Sequence, residues 1–341
     1  MKILIKILII LFIAGCSNGD NNISKIMDKP DFDEIHLTCL DSIALPVISN
    51  MWHWKCDSNQ LYTFSVQNID EHFLSVYSYP NFRLLYRYGT KGQGPDDFIT
   101  VNWANTYKEN EIVLYDIMKR KLYSFETGDS LVMKTNIFNL AEIKGERLSK
   151  PYTMIHKIND SIFLMKVNMP DIITLEIVDL KNSRQISSYA DLPQVKDTKR
   201  GRLSYLYDFN VEYRDSTIVC AFTNINRIEI LQIDNEYNIV HKLTVGEKKL
   251  PEEYLRDSYG NRISFYRNVK CNGKYIFILF QDKKDKSTST IEVYDLEGNG
   301  VVKLCLDQHV ENILISPDSN YIYAYHQLID CDIILKYKIP I

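Results

Sequence analysis

The stretch "SPDSNYIYAYH", residues 316–326, is a polar turn that runs directly into a β-rich strand, and it is not alone. The same unit recurs as "CDSNQLYTFSV" (56–66), "YKENEIVLYDI" (107–117), "KINDSIFLMKV" (157–167), "YRDSTIVCAFT" (213–223) and "KCNGKYIFILF" (270–280). Asp, Asn, Ser and Gly supply the turn because they tolerate left-handed or side-chain-bonded backbone. The Ile, Val, Phe and Tyr that follow suit a packed sheet.

A second strand follows each copy, as in "FLSVYSYP" (73–80), "NRIEILQIDNE" (226–236) and "STIEVYDLEGN" (289–299). Further strand-like segments flank most pairs, such as "YTMIHKI" (152–158) and "RQISSYA" (184–190) in the third unit. The first strands begin near Leu61, Ile112, Ile162, Ile218, Tyr275 and Tyr321, a spacing of 46–57 residues that matches propeller blades. The expected fold is all-β: a six-bladed β-propeller of four-stranded antiparallel blades. The final unit reaches only its third strand at Ile341, while "EIHLTCLDSIAL" (34–45) has no local partner. This N-terminal segment is therefore expected to supply the outer strand of the last blade and close the ring. The one helical candidate is "LPEEYLRDSYG" (250–260).

Composition agrees with a large globular core: 341 residues, 45% hydrophobic, 25% charged, with 23 Tyr and only 13 Gly. A net charge of -4 argues against a dedicated nucleic-acid binder, which needs excess Lys and Arg to neutralise phosphates. The N-terminus has Lys2 and Lys6 ahead of an apolar run of signal-peptide length, ending at Ile13-Ala14-Gly15-Cys16. That ending resembles a bacterial lipobox, with Cys16 the lipidated residue. The expected organisation is a signal peptide at 1–15, a lipidated Cys16 and polar tether to 33, and a monomeric propeller over 34–341. Ser17 after the cysteine implies, in the system it resembles, an outer-membrane anchor facing the periplasm or the exterior. Of the six other cysteines none forms a CxxC pair, and free thiols in strands are the favoured reading over bridges.

Together the lipobox, "YGTKGQGPDDF" (88–98), "RISFYRNVKCNGKYIFILF" (262–280) and "SPDSNYIYAY" (316–325) resemble the TolB-like six-bladed β-propeller lipoproteins of Gram-negative bacteria. Asp97 stands where that pattern usually has Glu. The resemblance covers essentially the whole mature chain and implies architecture and an envelope location. It leaves activity open, because similar propellers are binding platforms while some related six-bladed folds are metal-dependent hydrolases.

Two sets of site candidates follow. Gly89, Gly92 and Gly94 beside Lys91 lack the spacing and the following helix of a phosphate loop, so they read as an inter-blade turn. Such links, with the longer charged ones at 139–151, 191–204 and 246–262, lie on the face propellers use for ligands. Lys91, Gln93, Asp96, Lys199, Arg200, Arg202 and Arg262 are the binding candidates there, suited to a protein, peptide or glycan partner. Asn102, Asn105, Asn210, Glu212 and Asn268 sit on or beside expected inner strands and are the channel candidates. No cofactor is expected for a binding propeller; a hydrolase of lactonase or esterase type would need a cation such as calcium in the channel. Trp52 and Trp54 share one strand face and are expected to pack between blades, with His53 pointing the other way.

Overall fold

The computed structural model describes residues 25–46, 53–65, 72–94, 97–128, 132–143, 152–169, 173–192, 208–247, 265–280, 287–327 and 332–341. Three short N-terminal strands come first: β1 (Lys25–Met27), β2 (Glu34–Leu37) and β3 (Asp41–Ala44). Blade one is β4 (His53–Cys56), β5 (Gln60–Phe64), β6 (His72–Ser78) and β7 (Leu84–Thr90). Blade two is β8 (Val101–Asn105), β9 (Glu111–Asp116), β10 (Lys121–Thr127) and β11 (Val132–Asn139). Blade three is β12 (Tyr152–Lys157), β13 (Ile162–Asn168), β14 (Ile173–Asp179) and β15 (Arg184–Tyr189). Blade four is β16 (Phe209–Arg214), β17 (Thr217–Phe222), β18 (Arg227–Ile233) and β19 (Ile239–Gly246). Blade five is β20 (Tyr266–Cys271), β21 (Tyr275–Phe280), β22 (Ser289–Asp295) and β23 (Gly300–Leu306). Blade six has β24 (Asn312–Ile315), β25 (Tyr321–Gln327) and β26 (Asp332–Lys338) from its own unit.

The turn residues do what their chemistry requires. Asp57, Asn159, Asn272 and Asp318 each accept backbone N–H bonds two or three residues on, folding the first strand back into the second. The alternating apolar residues then pack between neighbouring blades. Tyr62 and Val76 meet Leu114 and Phe125 between blades one and two, and Val113 and Leu122 meet Phe163 and Val178 between two and three. Leu164 packs with Phe222, Ile230 with Ile276, and Phe277 with Leu335, across the next three seams. The sixth seam joins Trp54, Leu61 and Tyr77 of blade one to Leu314, Tyr323 and Ile334 of blade six, so the ring is closed. Each large side chain removed from water contributes about 1.5–3 kcal/mol, which makes these seams the chief source of stability.

Closure follows the expected route only in part. β3 adds antiparallel to β26, with Ser42 opposite Leu335 and Ile43 opposite Ile334, completing blade six. The beginning of the same segment does something else: β2 adds parallel to β23 as a fifth strand on blade five. Before it, β1 adds parallel to β19 on blade four, pairing Lys25–Met27 with Leu243–Val245. The last part of the expected tether thus joins the segment after it in one strap laid across three blades. Pro30 and Phe32 sit against Gly300, and Phe32 meets the edge of Tyr294 at 5.2 Å. Sequence patterning missed this because three-residue parallel strands carry no periodicity.

A second difference is a parallel pairing of β8 with β12, Ile155 opposite Ala104 and His156 opposite Asn105, which fuses blades two and three into one eight-stranded sheet. Cys39, Cys56, Cys220, Cys271 and Cys305 are free thiols, of which Cys220 and Cys271 are buried. The helical candidate at 250–260, Trp52 and Cys331 lie outside the described residues. No helix among the described residues is long and apolar enough to cross a membrane.

Candidate functional site

The link from blade one to blade two is a folded turn with its donors already used. Gly89 has φ +79°, a conformation that favours glycine. The Asp97 carboxylate accepts from the Thr90 hydroxyl at 2.6 Å and from Gly94 N–H at 3.0 Å, bonds that hold it below the usual carboxylate range. Gly92 N–H donates to Phe98 O at 3.0 Å, Lys119 Nζ donates to Asp97 O at 2.6 Å, and Phe98 is buried. The N–H groups of Gly92 and Gly94 are thus taken within the turn and are not offered to a phosphate. Lys91 and Gln93 are exposed on this turn; Asp96, Lys199, Arg200, Arg202 and Arg262 lie outside the described residues, as does Cys16.

The first strands of the blades line a central channel. A cavity of about 500 Å³ is bordered by residues at their starting ends, where the inter-blade links enter, among them His53, Thr153, Asp208, Arg267 and Asn312. A second cavity of about 230 Å³ lies toward the opposite ends, and both are bordered by Trp54, Asn105, Glu212 and Lys270. Four of the five channel candidates, Asn105, Asn210, Glu212 and Asn268, line the larger cavity. Asn102 does not: its side chain donates to Thr153 O at 3.3 Å and accepts from Trp103 N–H at 2.8 Å, stitching blade two to blade three.

At the waist, Glu212 is buried on β16 and its Oε2 lies 3.6 Å from Lys270 Nζ on β20. Burial pushes the Glu212 carboxyl up to about 7, and Lys270 opposes that shift. His156 on β12 places Nε2 3.4 Å from Asn105 Nδ2. Burial, reinforced by the Lys270 charge, pushes His156 down to about 3 and His53 down to about 4. Both rings are therefore neutral at physiological pH. Two polar atoms on this wall, Trp54 Nε1 and Asn268 Oδ1, are buried without a hydrogen-bond partner among the described residues. One is a donor and the other an acceptor, which is what a hydrogen-bonding ligand would satisfy.

A hard cation takes six or more oxygens, and the buried acid at the waist, Glu212, already faces the Lys270 ammonium. Among the described residues, no three His, Cys, Asp or Glu side chains converge in the channel.

The sequence matches the TolB-like 6-blade propeller-like family over residues 36–318. The chain belongs to that family. Its fold is shared with a Bacteroides fragilis protein described as exported, at 13% identity and a TM-score of 0.59, over 93% of this chain and 100% of that one. The β-propeller domain of Cps50 (Swd1) from Myceliophteria thermophila aligns at 8% identity and a TM-score of 0.51, covering 88% of this chain and 100% of that one. The WD40 repeats of RRP9 align at 10% identity and a TM-score of 0.51, over 89% and 100% of the two chains. At these identities the likeness is one of fold alone. No curated protein matches the sequence.

Sequence reasoning named the channel amides and Glu212 but not Lys270, His53 or His156 as their companions. Lys270 sits within a repeat copy, "KCNGKYIFILF", where it reads as an ordinary strand-edge lysine. Only the closed ring brings it opposite Glu212.

Proposed function

We propose that this protein is an extracytoplasmic binding propeller, anchored to the outer membrane through a lipidated Cys16, that takes a polar part of an envelope peptide, protein or glycan into the mouth of its channel. The observation that carries the reading is the amide-lined cavity of about 500 Å³ on the side where the inter-blade links enter. Asn105 and Asn268 offer a donor and an acceptor, and Asn210 an acceptor beside the amide hydrogen it gives to Tyr266 O at 3.1 Å. The waist supplies charges of both signs, so a neutral or zwitterionic partner group is favoured over a strongly charged one. The lipobox and the exported Bacteroides fragilis protein of like fold support the location.

The test is cross-linking of the full chain in native envelopes, comparing wild type with an Asn210→Leu/Asn268→Leu variant. The expected outcome is a discrete partner recovered by wild type and lost from the variant, with the variant's circular dichroism unchanged. Equal recovery from both would remove the channel from the binding surface. Fractionation of Cys16→Ser, expected to release the chain from membranes, tests the anchor separately.

A further inference from the structure

The strap that closes the ring also gathers a mixed set of donors on the outside of blade five. In the parallel pairing of β2 with β23, Glu34 lies opposite Lys303 and His36 opposite Cys305. Strand alternation puts Glu34 and His36 on one face, and the register puts Cys305 beside them. One carboxylate oxygen of Glu34, one ring nitrogen of His36 and the sulfur of Cys305 all lie within 4.8 Å of one another. Among the described residues this is the one such grouping of three.

The chemistry of the three is selective. Thiolate, imidazole and carboxylate together suit a borderline divalent transition metal and not calcium or magnesium, which prefer oxygen alone. Tetrahedral zinc holds such ligand atoms roughly 3.3–3.7 Å apart, given bonds of about 2.0–2.3 Å. Side-chain rotations of about 1 Å would bring the set to that spacing. Cys305 is a free thiol, half-buried, and both other ligands are exposed, so a cation can reach all three. Glu34 Oε1 takes Lys303 Nζ at 2.8 Å, which leaves Oε2 for a metal.

We propose that Glu34, His36 and Cys305 form a surface site for a zinc-class divalent cation. On binding, the Cys305 thiol releases its proton to solvent and forms the sulfur–metal bond. His36 contributes a ring lone pair, Glu34 one oxygen, and water the fourth position. Because two ligands belong to the strap and one to the blade, the cation clamps the strap to blade five. The site is separate from the channel and does not depend on what the channel binds.

The experiment is a titration of the purified, metal-free full chain with Zn²⁺ by calorimetry, and with Co²⁺ by absorbance. Wild type is expected to bind one Zn²⁺ with proton release, to show a thiolate-to-cobalt charge-transfer band, and to melt at a higher temperature as Zn²⁺ is added. Cys305→Ser and His36→Ala are each expected to weaken binding at least about tenfold, and Cys305→Ser to abolish the band. Absence of the band in wild type would overturn the proposal. So would Zn²⁺ affinity that neither substitution changes.

Discussion

Two buried glutamates in this propeller have opposite surroundings. Glu292, on β22 at the seam of blades four and five, accepts from Lys29 Nζ at 2.6 Å, Tyr294 Oη at 2.8 Å and Tyr266 Oη at 3.0 Å. Lys29 arrives from the strap and also donates to Asn226 Oδ1 at 3.2 Å. Glu212, at the channel waist, has one cation at 3.6 Å, and the wall around it keeps a buried donor and a buried acceptor unpartnered among the described residues. A carboxylate with three close donors is a structural fastener, since its desolvation is offset by charge-assisted bonds. A carboxylate left short of donors keeps the capacity to meet something else, which is how the channel differs from the seams.

The contrast can be broken most forcefully at the seam. Lys29→Met removes the ammonium from Glu292 and is expected to cost about 3 kcal/mol in urea unfolding. An unchanged midpoint would mean the seam is no more structural than the channel. Acidification probes the channel side. His156, held neutral when folded, binds fewer protons there than in the unfolded chain. Its contribution is complete above about pH 6.5 and is lost as pH falls toward 3. The expected loss at pH 4 is roughly 3 kcal/mol, and His156→Gln should flatten the stability profile over that window.

The sharpest sign belongs to Glu212. Its raised carboxyl binds more protons folded than unfolded, so it favours folding below about pH 4.5 and loses that advantage as pH rises to about 7. Glu212→Gln is expected to gain roughly 3 kcal/mol at pH 8 and under about 1 kcal/mol at pH 5. Glu292→Gln should lose stability at pH 8. If both variants move the same way, the distinction between fastener and site fails.

Much of the architecture was legible before any coordinates. The turn residues at 57, 159, 272 and 318 bond within three residues of themselves, and the alternation after them is a property of each strand alone. The glycine link after blade one was legible for the same reason: Asp97 closes it from seven residues beyond Thr90. The strap was half legible. Its β3 has the length and alternation to complete blade six, but β1 and β2 are three and four residues long and take their register from a partner more than 200 residues away. The site was legible as residue types and not as a constellation.

What the sequence by itself determined is the count of blades, the position of the strand after each polar turn, which is the second of its blade, and the polar character of the channel wall, because these follow from local turn chemistry and side-chain alternation. Tertiary structure alone decided that Lys29 belongs to Glu292, that Lys270 belongs to Glu212, and that Cys305 meets His36. Each of those pairs joins different blades, or the strap to a blade. Such neighbours are set by how a closed ring packs its seams, and nothing in the spacing of the residues along the chain encodes that distance.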